Sequence, residues 1–299
     1  QLEFSAYETG VSELAWIVEA GALARALWQG LEHQDNLQLH CPASPERLER
    51  ETRHAKLWLQ SGDLVRARLV VGADGARSFV RREAGFSAHP RPYGQLGVVA
   101  NFACDRPHRG TAFQWFRHDG VLAWLPLPGR RCSMVWSTAE VHARELLDLD
   151  EAAFCRTVAE AGGHTLGEFS LITAPAAFPI TGLKLDTLIA DRIALIGDAA
   201  HVVHPLAGQG VNLGFSDAAE LGTILRARQD RDPGDVLALR RYERARSEEI
   251  LTMRWTTDGL FRLFSQPSMQ GLRNRGLNSV NSMPVLKTLL ARHALGRAG

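Results

Sequence analysis

A carboxylate placed at the end of an apolar run is the clearest chemical feature of this sequence. It is Asp198, and it stands in ALIGDAAHVVHPLAGQGVNLG, residues 194–214. The apolar residues before it predict a buried strand that ends at Gly197 and Asp198. Open α/β domains bind their ligands at the carboxyl edge of the sheet, so this carboxylate would suit sugar or ribityl hydroxyls.

A glycine-rich turn, PLAGQG, follows within a few residues. Gly208 and Gly210 leave backbone N–H groups accessible, so the turn could wrap a flat ligand. Asn212 is predicted to cap the next helix, whose N-terminal partial positive charge would stabilise negative charge on a bound group. The alternative is that the aspartate and the turn only cap secondary structure. The strand ends about ten residues before these glycines, which argues against a Rossmann fingerprint.

A second strand runs into an aspartate in VVGADGARSFVRREAGF, residues 70–86. The turn contains Asp74 and Gly75, and Arg77 and Arg81 lie at the start of a predicted helix. Two turns of the same type indicate that both carboxylates serve one ligand.

Composition and charge exclude several classes of protein. The chain of 299 residues is 45% hydrophobic, so it can bury a large core. Its formal net charge of +1 provides no field that would attract nucleic acid, and we expect no nucleic-acid partner. The four cysteines form no CxxC or Cys/His pattern, which indicates reduced, buried thiols and no metal site. No apolar run approaches the roughly 20 residues of a membrane span, and we expect a cytoplasmic protein.

Hydrophobic patterning predicts a nucleotide-type α/β domain interrupted by an antiparallel sheet. A hairpin is predicted around Ser61–Asp63, and four strands with short connections are predicted between residues 94 and 137. Both β/α segments flank these strands, so two interleaved domains are expected. The predicted helices cover residues 19–34, 150–162, 212–228 and 233–264.

The two aspartate turns together resemble those of the class A flavin monooxygenases, the para-hydroxybenzoate hydroxylase group, in which an Asp-Gly and a later Gly-Asp motif serve FAD. Within that group, HPLAGQGVNLGFSD, residues 204–217, resembles the motif of the flavin-dependent ubiquinone-biosynthesis hydroxylases, with every defined position filled. The passage AFQWFRHDGVLAWLPLPGRRCSMVW is most similar to the 2-polyprenyl-6-methoxyphenol hydroxylases of that family.

The resemblance implies a para-hydroxybenzoate hydroxylase-like α/β (α+β) fold. The FAD-binding domain would comprise residues 1–88 and 183–230, the inserted antiparallel substrate domain residues 89–182, and a C-terminal helical region residues 231–299. The family begins with a βαβ unit whose G-x-G-x-x-G turn holds the FAD pyrophosphate. These 299 residues lack that unit, so we expect the FAD-binding domain to be incomplete at its N-terminus.

The resemblance also implies roles for individual residues. Asp198 would bind the ribityl or diphosphate region of FAD, Asp74 would support the nicotinamide and flavin side, and the two arginines of the first turn would lie near the diphosphates. His204 and Pro205 are the catalytic candidates, and a structural role in a packed turn is the alternative for the histidine. The implied cofactor-binding residues are Asp74, Gly75, Arg77, Arg81, Gly197, Asp198, Gly208, Gln209, Gly210, Val211 and Asn212.

The implied activity is hydroxylation of a polyprenylated phenol in ubiquinone biosynthesis. NAD(P)H would reduce FAD, and O2 would then give a flavin C4a-hydroperoxide that transfers OH to the ring. Two alternatives stay open: a class A hydroxylase that acts on a soluble phenol, and a non-catalytic scaffold subunit of a quinone-biosynthesis complex.

The C-terminal segment from Gly259 to Gly299 combines apolar and basic residues. It holds six Lys or Arg and no Asp or Glu, a combination typical of helices on anionic membrane surfaces. A polyprenylated phenol resides in the bilayer, so we expect this segment to hold the protein peripherally on the inner membrane. The alternative is that its apolar residues pack against the core and its basic residues form a solvated face.

Overall fold

The computed structural model describes residues 2–205, 208–227 and 231–265. The chain divides into two compact units. The turn unit comprises residues 38–94 and 179–261, and the sheet unit comprises the described residues within 1–37, 95–178 and 262–299. The domain boundaries that the resemblance implies stay a prediction.

The described residues form seven α-helices, twelve strands and a short 3-10 helix at Gly197–Ala199. The helices are α1 (Ala6–Thr9), α2 (Ala20–Leu31), α3 (Phe79–Glu83), α4 (Glu140–Leu147), α5 (Glu151–Ala161), α6 (Gly210–Arg226) and α7 (Val236–Ser265). The strands are β1 (Pro45–Arg50), β2 (Ala55–Leu59), β3 (Leu64–Ala67), β4 (Val70–Gly72), β5 (Ala88–Cys104), β6 (Phe113–Arg117), β7 (Gly120–Leu127), β8 (Arg131–Ala139), β9 (Phe169–Leu171), β10 (Ala176–Leu185), β11 (Ile189–Ala190) and β12 (Ile193–Leu195).

The two strands that precede the aspartate turns are parallel neighbours. Strand β12 pairs with β4, with Leu195 opposite Gly72, and β11 pairs with β12 on its other side. All three residues of β12 are fully buried, which explains the apolar run in the sequence. The carboxyl ends of parallel strands meet at the same edge, so the turns of Asp74 and Asp198 leave the sheet side by side.

Helices α6 and α7 pack against the end of β12. A Cβ atom at Gly214 would lie 3.3 Å from the Cα of Gly197, so the absence of a side chain lets α6 approach the turn closely. The hydroxyl of the buried Tyr242 on α7 donates a hydrogen bond to the carbonyl of Leu195 over 2.8 Å. Both helices therefore fix the backbone that presents Asp198.

The sheet unit contains the antiparallel strands predicted from the sequence. The sheet has the order β10-β5-β8-β7-β6, and β9 pairs with β5. Helices α4 and α5 contribute buried residues to its core, in which Trp124, Trp136 and Phe154 are almost fully buried.

The predicted hairpin is confirmed as β2 and β3, and each of the four predicted helices is present with end points shifted by one to three residues. Helix α2 begins at Ala20, and none of its residues is buried. Strand β1 was not predicted, because PERLER contains a single apolar residue, Leu48, and owes its strand conformation to pairing with β2.

Among the described residues, no helix has both the length and the apolar character that crossing a membrane requires. Most of the segment predicted to contact a membrane, residues 266–299, lies outside the described residues.

Candidate functional site

The carboxylate of Asp74 is engaged within its own turn. The hydroxyl of Ser78 donates to Oδ1 over 2.5 Å, and the amides of Phe79 and Val80 donate to Oδ2 over 2.6 and 3.1 Å. Burial raises the pKa of Asp74, but these hydrogen bonds outweigh burial and hold the pKa below its ordinary value. Asp74 therefore orders the N-terminus of α3, a role that the sequence reading did not anticipate.

Arg81 connects the two aspartate turns. Its side chain is buried, Nη2 donates to the carbonyl of Ala76 over 2.6 Å, and Nη1 donates to the carbonyl of Ala199 over 2.9 Å. Burial lowers the pKa of Arg81, and the nearby Asp74 carboxylate partly opposes that effect. The other arginine of the first turn, Arg77, is exposed.

Asp198 is exposed like Asp74, but no protein donor to its carboxylate is found among the described residues. It lies in the 3-10 turn that follows β12, where Gly197 adopts a left-handed φ of 57°. A carboxylate held at a sheet edge without a protein partner is available to accept hydrogen bonds from a ligand.

Asp217 stabilises the turn that contains Asp198. It is fully buried, and its Oδ2 accepts hydrogen bonds from the Gly197 amide over 2.8 Å and from His201 Nε2 over 2.7 Å. Its Oδ1 accepts from Nε of Arg246 on α7 over 2.7 Å. Burial raises the pKa of Asp217, but its hydrogen bonds to His201, Arg246 and Gly197 lower that pKa by a larger amount. The group is therefore a carboxylate at neutral pH.

Sequence reasoning did not select Asp217 or Arg246 as site residues. A signal for Asp217 was present, because it is the last defined position of the motif at residues 204–217. Arg246 lies 29 residues further along, in a helix with no motif of its own.

The glycine-rich turn leads directly into α6. The helix begins at Gly210, so the prediction that Asn212 caps it is wrong: Gln209 is the N-cap residue, and Asn212 lies in the first turn. Asn212 Nδ2 instead donates to Gln209 Oε1 over 2.8 Å. Gly208 is exposed with a φ of 61° and Val211 is exposed.

Open space lies around the turn. A Cβ atom at Gly208 or at Gly210 would have no atom of the described residues within 4 Å. The amide of Gly208 donates to the carbonyl of Pro205 over 2.9 Å, which closes the turn on the His-Pro pair.

His204 is buried, while Pro205 is exposed. The imidazole ring lies 4.6 Å from the Tyr93 ring and 4.9 Å from the Phe261 ring, measured between centroids. Burial lowers the pKa of His204 to about 4, although the charge of Asp258 opposes the shift. The imidazole is therefore neutral at neutral pH.

The residues fit a flavin dinucleotide. The exposed Asp198 carboxylate has no protein donor among the described residues, and the glycines of the turn leave space for a ring to lie against backbone. The amides at the start of α6 add a partial positive charge at the same place. Arg81 holds the two turns together through main-chain carbonyls of both.

Comparison with known proteins identifies the family of this chain. Residues 44–253 match the family described as FAD binding domain. The chain is 35% identical to the 3-demethoxyubiquinol 3-hydroxylase of Escherichia coli (strain K12), with 98% of this chain and 76% of that protein covered. It is 37% identical to the ubiquinone hydroxylase UbiL of Rhodospirillum rubrum, with 95% of this chain and 67% of that protein covered.

A solved structure shows the same fold. HpxO of Klebsiella pneumoniae, crystallised with FAD and uric acid, superposes with a TM-score of 0.71 at 18% identity, covering 94% of this chain and 71% of that chain. The chain therefore belongs to the FAD-binding domain family, and it is an FAD-dependent monooxygenase related to hydroxylases of ubiquinone biosynthesis.

Proposed function

We propose that this protein hydroxylates the ring of a polyprenylated phenol in ubiquinone biosynthesis, with NAD(P)H as reductant and O2 as oxygen donor. One observation carries the proposal. This chain is 35% identical to 3-demethoxyubiquinol 3-hydroxylase, and the pairing of β4 with β12 brings its two aspartate turns to one edge of the sheet.

In this proposal Asp198 binds ribityl or diphosphate-side hydroxyls of FAD, because its carboxylate has free acceptor positions. Residues Gly208–Asn212 hold the edge of the ring system, and the α6 N-terminus stabilises negative charge that accumulates there. Arg77, being exposed, is the arginine that would reach a diphosphate, whereas Arg81 positions the turns. Asp74 and Gly75 act by shaping the first turn.

When bound, FAD supplies the redox chemistry and the activation of O2. The protein's part is to orient the phenol, exclude water and manage protons. His204 is neutral at neutral pH and is our candidate for taking a proton, with Pro205 fixing the turn beside it. Its burial between two aromatic rings also supports the structural alternative.

The experiment uses the full-length protein as its gene encodes it, loaded with FAD and supplied with a polyprenyl phenol in detergent, NAD(P)H and 18O2. We expect phenol-dependent oxidation of NAD(P)H and a product heavier by one 18O atom. A flavoprotein that hydroxylates only water-soluble phenols would support the soluble-phenol alternative. A purified protein that retains no flavin and yet binds quinone-biosynthesis proteins would support the scaffold alternative.

We also propose a peripheral position on an anionic membrane, because the proposed substrate resides in the bilayer and residues 259–299 are basic and apolar. Association with a ubiquinone-biosynthesis complex is part of the same proposal.

A further inference from the structure

A small basic pocket lies in the turn unit, apart from the aspartate turns. It is a shallow depression, partly open to solvent, formed by residues of β5, β10 and α7 together with Val202 and Val203, and its lining also includes the apolar Leu183. Its polar side chains are His89, Arg91, Tyr93, Lys184, Arg254 and Thr257.

The carboxylates near this pocket are already engaged. Asp258 accepts from Arg91 Nη1 over 2.5 Å at Oδ2 and from the Tyr93 hydroxyl over 2.6 Å at Oδ1. Asp186 contacts His89 Nε2 over 3.1 Å. Both oxygens of Asp258 are therefore occupied by donors from β5.

Two cations of the pocket lack a comparable partner. Within the described part of the chain, neither the guanidinium of Arg254 nor the ammonium of Lys184 forms an ion pair, although Lys184 lies near enough to Asp186 to act on it electrostatically. Arg91, Lys184 and Arg254 oppose the two carboxylates, so the pocket carries one net positive charge even when His89 is neutral. A guanidinium and an ammonium that face a shared cleft suit a phosphate group, which accepts from both.

The pocket is connected to the His-Pro turn through one side chain. Tyr93 lines the pocket, and its ring packs edge-on against His204 at 4.6 Å between centroids. An anion bound in this pocket would therefore be separated from the turn that carries the catalytic candidates by the ring of Tyr93.

We propose that this basic pocket binds the diphosphate of the nicotinamide dinucleotide reductant. The identity of the reductant rests on the proposed function, whereas the affinity for diphosphate rests on the pocket alone. An anionic lipid headgroup offers the same phosphate chemistry, and the experiment separates the two sources.

The test uses FAD-loaded full-length protein and inorganic pyrophosphate as the probe. Arg254→Gln and Lys184→Gln should each weaken pyrophosphate binding about tenfold in calorimetry, since each removes one charged donor. The KM for NAD(P)H should rise by a similar factor, while flavin reduction at saturating NAD(P)H stays within about twofold. The matched control is Arg244→Gln, which removes the same charge from an exposed position of α7 outside the pocket and should change neither quantity.

Equal weakening in Arg244→Gln, or unchanged pyrophosphate affinity in both pocket variants, would overturn the proposal. So would variants that lose binding to phosphatidic acid vesicles but keep their affinity for pyrophosphate, because the site would then serve a lipid. If neither NADH nor NADPH reduces the wild-type flavin, the reductant in the proposed function is wrong, and the pyrophosphate titration still decides whether the pocket binds diphosphate.

Discussion

The Asp217 carboxylate accepts a hydrogen bond from the backbone amide of Gly197, with 2.8 Å between the two atoms. The same carboxylate accepts from His201 and from Arg246, and it is fully buried. Helices α6 and α7 and the turn that presents Asp198 are therefore joined at a single side chain.

Asp217→Asn should lower the free energy of unfolding by about 3 kcal/mol, because it leaves the buried Arg246 charge without its main counter-ion. Urea unfolding of the FAD-free protein at pH 7 measures this loss. Glu220→Gln, the same acid-to-amide change on the same helix, is the control and should cost less than about 0.5 kcal/mol.

The pairing itself is checked by adding Arg246→Met. If the two groups stabilise each other, the double variant should lose at least about 1 kcal/mol less than the sum of the single variants. Strict additivity would contradict the network.

Asp198 and Asp74 should differ in what their removal affects. Asp198→Ala should cost roughly 1.5 to 3 kcal/mol of FAD affinity, the range for a hydrogen bond to a charged group, and leave the unfolding of the FAD-free protein nearly unchanged. Flavin retention during dialysis and fluorescence titration measure the affinity. Retention equal to that of the wild type would exclude Asp198 as a ligand of FAD.

Asp74→Ala should instead act on the fold. Removing the acceptor for the Phe79 and Val80 amides should lower the free energy of unfolding by about 1 kcal/mol, as for other helix caps. The pKa of Asp74 is lowered in the folded state, so this contribution is present above the ordinary carboxyl pKa and disappears as the pH falls through the lower folded value. An Asp74→Ala variant as stable as the wild type at pH 7 would contradict the capping role.

Gly210→Val should impair FAD binding without destabilising the FAD-free protein, because a Cβ atom there meets no atom within 4 Å in the part of the chain that the structure describes. A branched side chain would occupy the space proposed for the ring. Gly208→Val should have the same effect on binding but should also strain the left-handed backbone at φ 61°. The control is Gly30→Val, a helical glycine of the sheet unit with equally open surroundings. Normal flavin binding in Gly210→Val would show that the turn faces another way.

His204 should make stability depend on pH. The pKa of His204 in the folded protein is about 4, below the ordinary value of 6.5. Between pH 6.5 and pH 4, His204 is therefore protonated in the unfolded chain but remains neutral in the folded protein. Lowering the pH from 7 to 5 should therefore cost about 2 kcal/mol at this residue. In His204→Gln the loss of unfolding free energy over that interval should be smaller by about this amount. Identical pH profiles of the two proteins would contradict the shifted pKa.

Residues 259–299 should bind anionic vesicles in a salt-dependent way. Surface charge is screened beyond a Debye length of about 8 Å at physiological ionic strength, so co-sedimentation with anionic vesicles should weaken as salt rises. Equal binding to neutral and anionic vesicles, or no binding to either at low salt, would reject this segment as the membrane contact.

The sequence by itself determined the local features of the site. Buried strands followed by aspartates, the glycine turn and the helices after them were predictable because each depends on hydrophobic periodicity and turn residues within about 20 positions. The antiparallel strands of the sheet unit followed from the same kind of pattern, and the motif at residues 204–217 indicated the family.

Only the tertiary structure decided what each polar group bonds to. Asp74 and Asp198 look alike in the sequence. The Asp74 carboxylate nevertheless accepts hydrogen bonds from the amides of α3, whereas the Asp198 carboxylate accepts none from the described residues. The contacts of Arg81 with Ala199, 118 positions away, and of Asp217 with Arg246 exist because parallel pairing and helix packing bring distant segments together. A side-chain type limits which hydrogen bonds are possible, but its partner is set by which elements pack beside it, and residue spacing carries no such information.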